Sequence, residues 1–242
     1  MYHVFCSIYI INNLIILINY VKNIIFDIFL HFSCLNINDM LILMGLRNDK
    51  KFGGKMIIEK QTETIANPGP LGLLGFGMTT ILLNLHNAGI IPLSIVIVSM
   101  GFALGGAAQI IAGIMEFRKN NLFGATAFTA YGFFWWSLII IWINPFKGIE
   151  AADEISMGYY LLLWGIFTLF MFIGTLKHNR GIQIVFLSLT VLFFMLAIGD
   201  FTGLHSIKIA GGYVGIFCGS SAIYNSMAQV LNNEYKKTVM PL

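Results

Sequence analysis

The segment NPGPLGLLGFGMTT, residues 67–80, opens a stretch from Thr64 to Met115 that contains no Asp, Glu, Lys or Arg. A helix needs about 20 predominantly apolar residues to cross the hydrocarbon core of a bilayer. The stretch is more than twice that length, and the polar, breaker-rich segment from Asn84 to Pro92 lies near its middle. This part of the chain therefore predicts two transmembrane helices joined by a short loop.

The first of these helices has a sharp predicted start. Asn67 is a favoured N-cap residue, because its side-chain oxygen accepts a hydrogen bond from a free backbone N–H, and Pro68 has the φ angle of a first helical position. The positive end of the helix dipole then lies near the membrane surface, where it favours an anion. Gly72, Gly75 and Gly77 remove side chains from several helix faces, which permits tight packing or a narrow passage. Capping and packing alone also account for a motif this short.

Four further stretches without charged side chains follow. They are residues 121–146, 155–176, 181–199 and 209–233. Together with the first stretch they predict an all-α membrane protein with six transmembrane helices per protomer. The composition agrees, because 57% of the residues are hydrophobic and only 10% are charged, whereas soluble domains have about 25% charged residues. A soluble enzyme is excluded, and the net charge of +3 is too small and too scattered to indicate nucleic-acid binding.

The charges in the short loops predict the orientation of the helices. Lys and Arg resist translocation and stay on the cytoplasmic side, whereas acidic residues have little influence. With the six predicted spans numbered in chain order, basic residues follow spans two, four and six: Arg118, Lys119, Lys177, Arg180, Lys236 and Lys237. The loop between spans three and four, on the opposite side of the membrane, is acidic and contains Glu150, Asp153 and Glu154. This pattern predicts a multi-pass protein of the plasma membrane with both ends of the six-helix domain in the cytoplasm.

The N-terminal part differs in composition from the rest. Residues 1–43 are rich in Ile, Asn, Phe and Tyr and contain no Gly, Ala or Pro, as expected of translated AT-rich, non-coding DNA. We therefore interpret it as the product of a misassigned start, with Met44 or Met56 as the true start. The alternatives are a seventh hydrophobic segment or an uncleaved signal from Ile8 to Phe32, or a disordered extension. The predicted divisions are an N-terminal extension at 1–55, a short cytoplasmic lead at 56–66 and the six-helix domain at 67–242.

Small residues recur at a spacing of four in two of the predicted spans. Gly101 and Gly105 lie in span two, and Gly211, Gly215 and Gly219 lie in span six. Helices in lipid gain little from hydrophobic contrast with each other, so close association depends on small residues that let backbones approach. These glycines predict tight helix packing, either within the bundle or between protomers.

Polar side chains inside the spans must find a partner or line a wet cavity. Ser221, Asn225 and Gln229 recur every fourth residue and so lie on one face of span six, and Thr80 and Asn84 do the same in span one. The residues that could line a polar path are Thr79, Thr80, Asn84, Gln109, Ser221, Asn225 and Gln229. Hydrogen bonding between helices remains an alternative role for each of them.

The positions of the charged residues, cysteines and histidines argue against an acidic proton relay, a metal site and an enzyme active site. No Asp, Glu, Lys or Arg lies in the middle of a span, which is unusual for a pump with an acidic proton relay. His86, Glu116 and Asp200 are the only candidates for proton binding near the span ends. The three cysteines are far apart and have no His at metal-ligand spacing. We therefore expect no metal, no cofactor and, without a nucleophile–base pattern, no enzyme.

Five segments carry a resemblance to a known family. They are NPGPLGL at 67–73, GFGMTTILLNLHN at 75–87, GATAFTAYG at 124–132, LWGIFTLFMFIGTLK at 163–177 and FLSLTVLF at 186–193. These motifs resemble those of the acetate uptake transporters, also called the GPR1/FUN34/YaaH or succinate–acetate permease family, whose span-one signature is Asn-Pro-Ala-Pro-Leu-Gly-Leu. Asn67, Pro68, Pro70 and Gly72 match this signature, and Gly69 replaces its alanine. The resemblance covers residues 66–242 and leaves out the N-terminal extension.

The resemblance implies six helices around a narrow pore and assembly as a homo-hexamer. Each subunit then has its own path for acetate and related small monocarboxylates, with succinate a substrate of some members. It also implies a pore constriction of Phe76, Tyr131 and Leu189, and selectivity at Leu189 and Ala222. Three apolar side chains can hold back water and ions and admit a molecule with one methyl group and one polar end. An anion channel and a proton-coupled symporter both remain open.

Two other functions remain as alternatives. A channel for another small solute, such as ammonia or formate, predicts flux that is insensitive to competition by acetate. A membrane sensor without transport predicts no net flux of any of these solutes.

Overall fold

The structure, a computed structural model, describes residues 66–146 and 148–242. The described residues form helices and connecting loops, and no strand occurs among them. The predicted extension at 1–55 and the lead at 56–65 lie outside the described residues. The all-helical fold class is thus confirmed for the part of the chain that the structure describes.

The described residues form six continuous helices, which we number in chain order. They are α1 Gly69–Asn87, α2 Ile95–Arg118, α3 Leu122–Ile143, α4 Glu154–Thr175, α5 Arg180–Thr202 and α6 His205–Glu234. Helices α2 to α6 are the five that are long and apolar enough to cross a membrane. Helix α1 is 19 residues long and is not one of these five, because its glycine, threonine and asparagine residues lower its mean hydropathy.

Side chains of short polar residues fix the starts of several helices. Helix α1 begins at Gly69 with Pro68 at the N-cap, one residue later than predicted. The side chain of Asn67 nevertheless satisfies a free donor, because its Oδ1 accepts a hydrogen bond of 3.2 Å from the N–H of Gly69. Asn121, Asp153 and Asn179 cap α3, α4 and α5 by accepting from the backbone N–H three residues further on.

Helix α2 contains a π-helical segment, Gly101–Ala108, that the sequence did not predict. The wider turn leaves carbonyl groups with irregular partners, and side chains of neighbouring helices bond to them. Trp136 Nε1 of α3 donates to the carbonyl of Phe102 at 3.1 Å, and Thr79 Oγ1 of α1 lies 3.4 Å from the carbonyl of Met100. The segment is therefore bonded to α3 through Phe102, and the residue just before it, Met100, contacts α1.

The six helices close a ring. Each helix packs against the next one along the chain, and α6 packs back against α1. Glycines make the α1–α6 contact close: a Cβ added at Gly77 would lie 2.7 Å from the carbonyl oxygen of Gly219, and one added at Gly219 would lie 2.7 Å from that of Gly77. The other predicted glycines also lie in helix contacts, with Gly105 against Trp135 of α3 and Gly211 against Leu196 of α5.

The interior of the ring is a core of aromatic and aliphatic side chains, and the outer faces are also apolar. Phe76, Tyr131, Phe134 and Leu189 belong to the buried core. Phe170, by contrast, is 70% exposed. Such exposed apolar residues recur along the outer faces of α2 to α6, as expected of helices that contact lipid or other protomers.

The glycine contact between α1 and α6 generates a prediction about stability. Gly219→Ala places a methyl group against the backbone of Gly77, which is unable to move aside, and overpacking of this kind costs about 1–3 kcal/mol. We expect a lower melting temperature of the detergent-solubilised protein, followed by size-exclusion or intrinsic fluorescence during heating. Gly211→Ala on the same helix is the matched control, because its methyl group meets the flexible end of Leu196 at 3.3 Å. Equal melting temperatures of the two variants would contradict the backbone contact.

Candidate functional site

Two cavities lie inside the ring, one towards each end. The Lys208 cavity, about 350 Å³, opens where α1 ends and α6 begins. The Glu116 cavity, about 240 Å³, opens where α1 begins and α2 ends. Phe76, Tyr131 and Leu189 line both cavities, and no other described residue does. We call these three residues the shared wall.

The shared wall is assembled from three helices and held from behind. Phe76 comes from α1, Tyr131 from α3 and Leu189 from α5, and all three are at most 6% exposed. The rings of Phe76 and Tyr131 have centroids 6.1 Å apart. Tyr131 also contacts Phe167 of α4 at 5.4 Å, and its hydroxyl shares a hydrogen bond of 2.9 Å with Thr168 Oγ1. The tyrosine is thus fixed both by ring packing and by a buried polar bond.

Four of the predicted path-lining residues do line a cavity. Thr80 and Asn84 face the Lys208 cavity, and Gln109 and Gln229 face the Glu116 cavity. Thr80 Oγ1 and both amide atoms of Gln109 are buried, and none of them has a hydrogen-bond partner among the described residues. Buried polar atoms almost always have partners, so an unpartnered polar atom in the wall of each cavity is a candidate contact for a solute.

The other three predicted residues donate to the backbone of their own helix, and Asn225 Oδ1 has no partner among the described residues. Thr79 Oγ1 donates to the carbonyl of Gly75 at 2.8 Å, Ser221 Oγ to that of Cys218 at 2.7 Å and Asn225 Nδ2 to that of Ser221 at 2.8 Å. None of the three is among the lining residues of either cavity. A spacing of four residues identifies one helix face but does not tell which neighbour that face meets.

The predicted signature and selectivity residues support the walls. Pro70 accepts a hydrogen bond of 2.6 Å from Ser226 Oγ of α6 through its carbonyl, and Pro68 forms the N-cap of α1. A Cβ at Gly72 would lie 2.5 Å from the ring of Phe128, so only glycine lets this ring lie against α1. Ala222 is fully buried in the core cluster but does not line either cavity.

The mouth of the Lys208 cavity carries an ion-pair network that the sequence did not predict. Lys208 Nζ lies 2.6 Å from Asp200 Oδ1 and 3.3 Å from Glu154 Oε1. Asp153 also lines this mouth, and the Ser156 backbone N–H that bonds to its Oδ1 lowers the pKa of its carboxyl. Glu154, Asp200 and Lys208 are visible in the sequence as charges near the ends of predicted spans, but only the structure shows that they meet.

The Glu116 cavity ends in a network of amides around one carboxylate. Glu116 is 2% exposed, and its Oε2 accepts a hydrogen bond of 2.8 Å from Asn121 Nδ2. Asn67 connects two further groups: its Nδ2 donates to Gln229 Oε1 at 3.1 Å, and its Oδ1 accepts from Lys119 Nζ at 3.0 Å. The first residue of the signature therefore joins α1, α2 and α6 at this end.

Chemically, the shared wall is mostly apolar and lies between two partly polar cavities. Such an arrangement can pass a small molecule with an apolar part and a polar end, and it resists hydrated ions because they would lose their water at the barrier. Among the described residues, no group of three His, Cys, Asp or Glu side chains is arranged to hold a metal ion.

Comparison with known proteins supplies the family. Residues 51–242 match the model of the GPR1/FUN34/yaaH family. The succinate-acetate/proton symporter SatP of Escherichia coli is 54% identical over 179 residues, which cover 74% of this chain and 95% of SatP. The ammonia transport outward protein 2 of Saccharomyces cerevisiae is 35% identical over 202 residues, covering 78% of this chain and 72% of the yeast protein.

A solved structure agrees with these matches. The structure of the bacterial acetate channel SatP superposes with a TM-score of 0.72 and 54% identity, and the match covers 74% of this chain and 99% of that one. The resemblance found in the sequence motifs is thereby confirmed. The chain is a multi-pass membrane protein and belongs to the GPR1/FUN34/yaaH family.

Proposed function

We propose that this protein carries acetate and related small monocarboxylates, with succinate as a further candidate, across the plasma membrane. The observation that carries the proposal is the shared wall of Phe76, Tyr131 and Leu189 between two cavities with unpartnered polar atoms. The names of relatives, a succinate-acetate/proton symporter and an acetate channel, support the substrate class. Both an anion channel and a proton-coupled symporter fit this geometry.

The proposal includes six membrane crossings, with α1 as the sixth. Helix α1 contributes Phe76 to the shared wall and closes the ring between α2 and α6, and its 19 residues approach the length of about 20 that a crossing needs. The positive loops after α2, α4 and α6 support cytoplasmic ends for the six-helix domain.

We further propose that the protein assembles as a homo-hexamer, as its family resemblance implies. Each subunit contains a complete path, because both cavities lie within the ring of a single chain. The apolar outer faces of the helices suit contact with lipid and with neighbouring subunits alike.

In this path the shared wall acts as the constriction. A carboxylate that reaches it loses water, which is costly unless polar groups take the place of that water. Thr80 on one side and Gln109 on the other supply such groups, because their polar side-chain atoms have no partner among the described residues. Asn84 and Gln229 also line the cavities, but their amides are hydrogen-bonded within the protein. Leu189 limits the size of the passing molecule directly, because it lines both cavities. Ala222 is buried in the core behind the residues that line the cavities and limits that size indirectly.

The function is tested by acetate transport in proteoliposomes that contain the full chain. Labelled acetate outside the vesicles should exchange with unlabelled acetate inside faster than in empty vesicles, which measure passive entry of acetic acid. Exchange no faster than in empty vesicles would contradict the proposal. Ammonia is the alternative substrate, because one yeast relative is named an ammonia transport outward protein. Protein-dependent ammonium flux that acetate does not inhibit would favour ammonia as the substrate.

Leu189 generates a prediction about selectivity. Leu189→Val removes one carbon from the shared wall and should raise the ratio of lactate to acetate uptake severalfold, because the passage becomes wider. Leu187→Val is the matched control, since Leu187 lies on the same helix but is 48% exposed and lines neither cavity. If both variants keep the wild-type ratio, Leu189 does not limit substrate size.

Thr80 generates a second prediction, with its own neighbour as control. Thr80→Val keeps the shape of the side chain and removes a hydroxyl that faces the cavity without a partner among the described residues. A hydrogen bond to a charged group contributes about 1.5–3 kcal/mol, so the KM for acetate should rise by about tenfold or more. Thr79→Val removes a hydroxyl that bonds to Gly75 instead, and its KM should stay near that of the wild type. Equal changes in both variants would argue against Thr80 as a substrate contact.

A further inference from the structure

Gln109 lines the Glu116 cavity with a buried amide that bonds to nothing else in the described part of the chain. The residue is 1% exposed, and both its Nε2 and its Oε1 lack a hydrogen-bond partner among the described residues. A buried polar atom without a partner costs free energy, and an amide has donors on its nitrogen and an acceptor on its oxygen. Because both ends are unpartnered, exchanging the nitrogen and the oxygen leaves the result unchanged. The side chain therefore indicates a ligand that bonds to both ends.

The position of Gln109 is set by α1 and by the π-helical segment of α2. Gln109 directly follows that segment, Gly101–Ala108, and such segments are frequent at functional sites. Its stem contacts α1, because a Cβ added at Gly75 would lie 3.6 Å from Gln109 Cγ. Gly75 directly precedes Phe76 of the shared wall, and Phe76 and Gln109 line the same cavity. The terminal torsion of a glutamine side chain is broad, so the amide can turn towards a solute while the helices stay in place.

The charges around this cavity disfavour a bare anion. Its described lining includes no lysine or arginine, and its ionisable lining side chains are Glu116, Tyr131 and His178. The carboxylate of Glu116 lies against the first turns of α1 and α3 and accepts a hydrogen bond from Asn121 Nδ2. Helix N-termini and amide donors both stabilise an ionised carboxylate. A substrate beside Gln109 thus shares its cavity with a negative charge, which favours a neutral group over a second anion.

A neutral group with a donor and an acceptor on one carbon matches both ends of the Gln109 amide. A carboxylate only accepts, so it bonds to Nε2 and leaves Oε1 without a donor. A primary carboxamide, or a carboxylic acid that keeps its proton, accepts from Nε2 and donates to Oε1. We propose that Gln109 binds such a neutral group, so that the site takes small primary carboxamides such as acetamide as well as undissociated acetic acid. The inference rests on the proposed function and adds a further class of ligand to the same path.

The test is competition with acetate exchange in proteoliposomes that contain the full chain. Acetamide and acetone are both neutral and have nearly the same shape, but only acetamide has an N–H donor. Acetamide should inhibit the protein-dependent exchange of labelled acetate at a concentration about tenfold lower than acetone, because acetone leaves Oε1 unpartnered. Empty vesicles measure the passive entry of acetic acid. Equal inhibition by the two compounds, or none by acetamide, would leave water as the partner of Gln109 and overturn the inference.

Two variants locate the effect at Gln109. Gln109→Met keeps the length of the side chain and removes both ends of the amide, so it should lose the preference for acetamide over acetone. Its melting temperature should be no lower than that of the wild type, because no partner within the described chain is lost. Gln183→Leu is the matched control and should keep the preference, because its amide donates to the carbonyl of His178 at 2.9 Å and it lines neither cavity.

The outcomes separate this inference from the proposed function. A wild-type preference for acetamide in Gln109→Met, or a clearly lower melting temperature of that variant, would contradict a ligand-binding role for Gln109. If Gln109→Met no longer exchanges acetate, the rise in melting temperature caused by each compound gives the same comparison. Acetate exchange by the wild type no faster than in empty vesicles would instead refute the proposed function itself.

Discussion

The backbone contact between Gly77 and Gly219 is the constraint on which the rest of the structure depends. It lets α6 return to α1 closely enough to close the ring. Because Gly77 faces α6, Phe76, one residue earlier and about 100° around the helix, faces the interior beside Tyr131. In a bilayer, where hydrophobic contrast adds little to helix association, this contact and the interhelical hydrogen bonds must supply much of the specificity of packing.

The ring geometry also explains how one chain can hold a barrier and two cavities. The shared wall is apolar because it is formed by the rings of Phe76 and Tyr131 and the side chain of Leu189, each from a different helix. A hydrogen bond to Thr168 holds Tyr131 from behind. Polar groups could not form such a barrier without partners of their own. Unpartnered polar atoms are instead found above and below it, at Thr80 and Gln109, within the described part of the chain.

The sequence was sufficient to predict the helices, because charged residues and helix-breaking residues mark their ends clearly. The predicted start of α1 differed from the observed one by only one residue. It was insufficient where the answer depends on which neighbour a helix face meets. Thr79 and Thr80 are adjacent and chemically identical, yet one bonds to backbone and the other faces a cavity. The π-helical segment at Gly101–Ala108 was also missed, because a segment composed mostly of glycine and alanine has no periodicity that distinguishes one helix type from another.

The two cavities differ in their electrostatics, and the difference bears on how an anion is attracted. The described mouth of the Lys208 cavity has one lysine held by Asp200 and Glu154, with Asp153 close by, so its acidic groups outnumber its basic one. Such a mouth does not concentrate anions by net charge. Under the proposed function, recognition of a carboxylate on this side therefore depends on individual donors such as the Thr80 hydroxyl, which act only at short range.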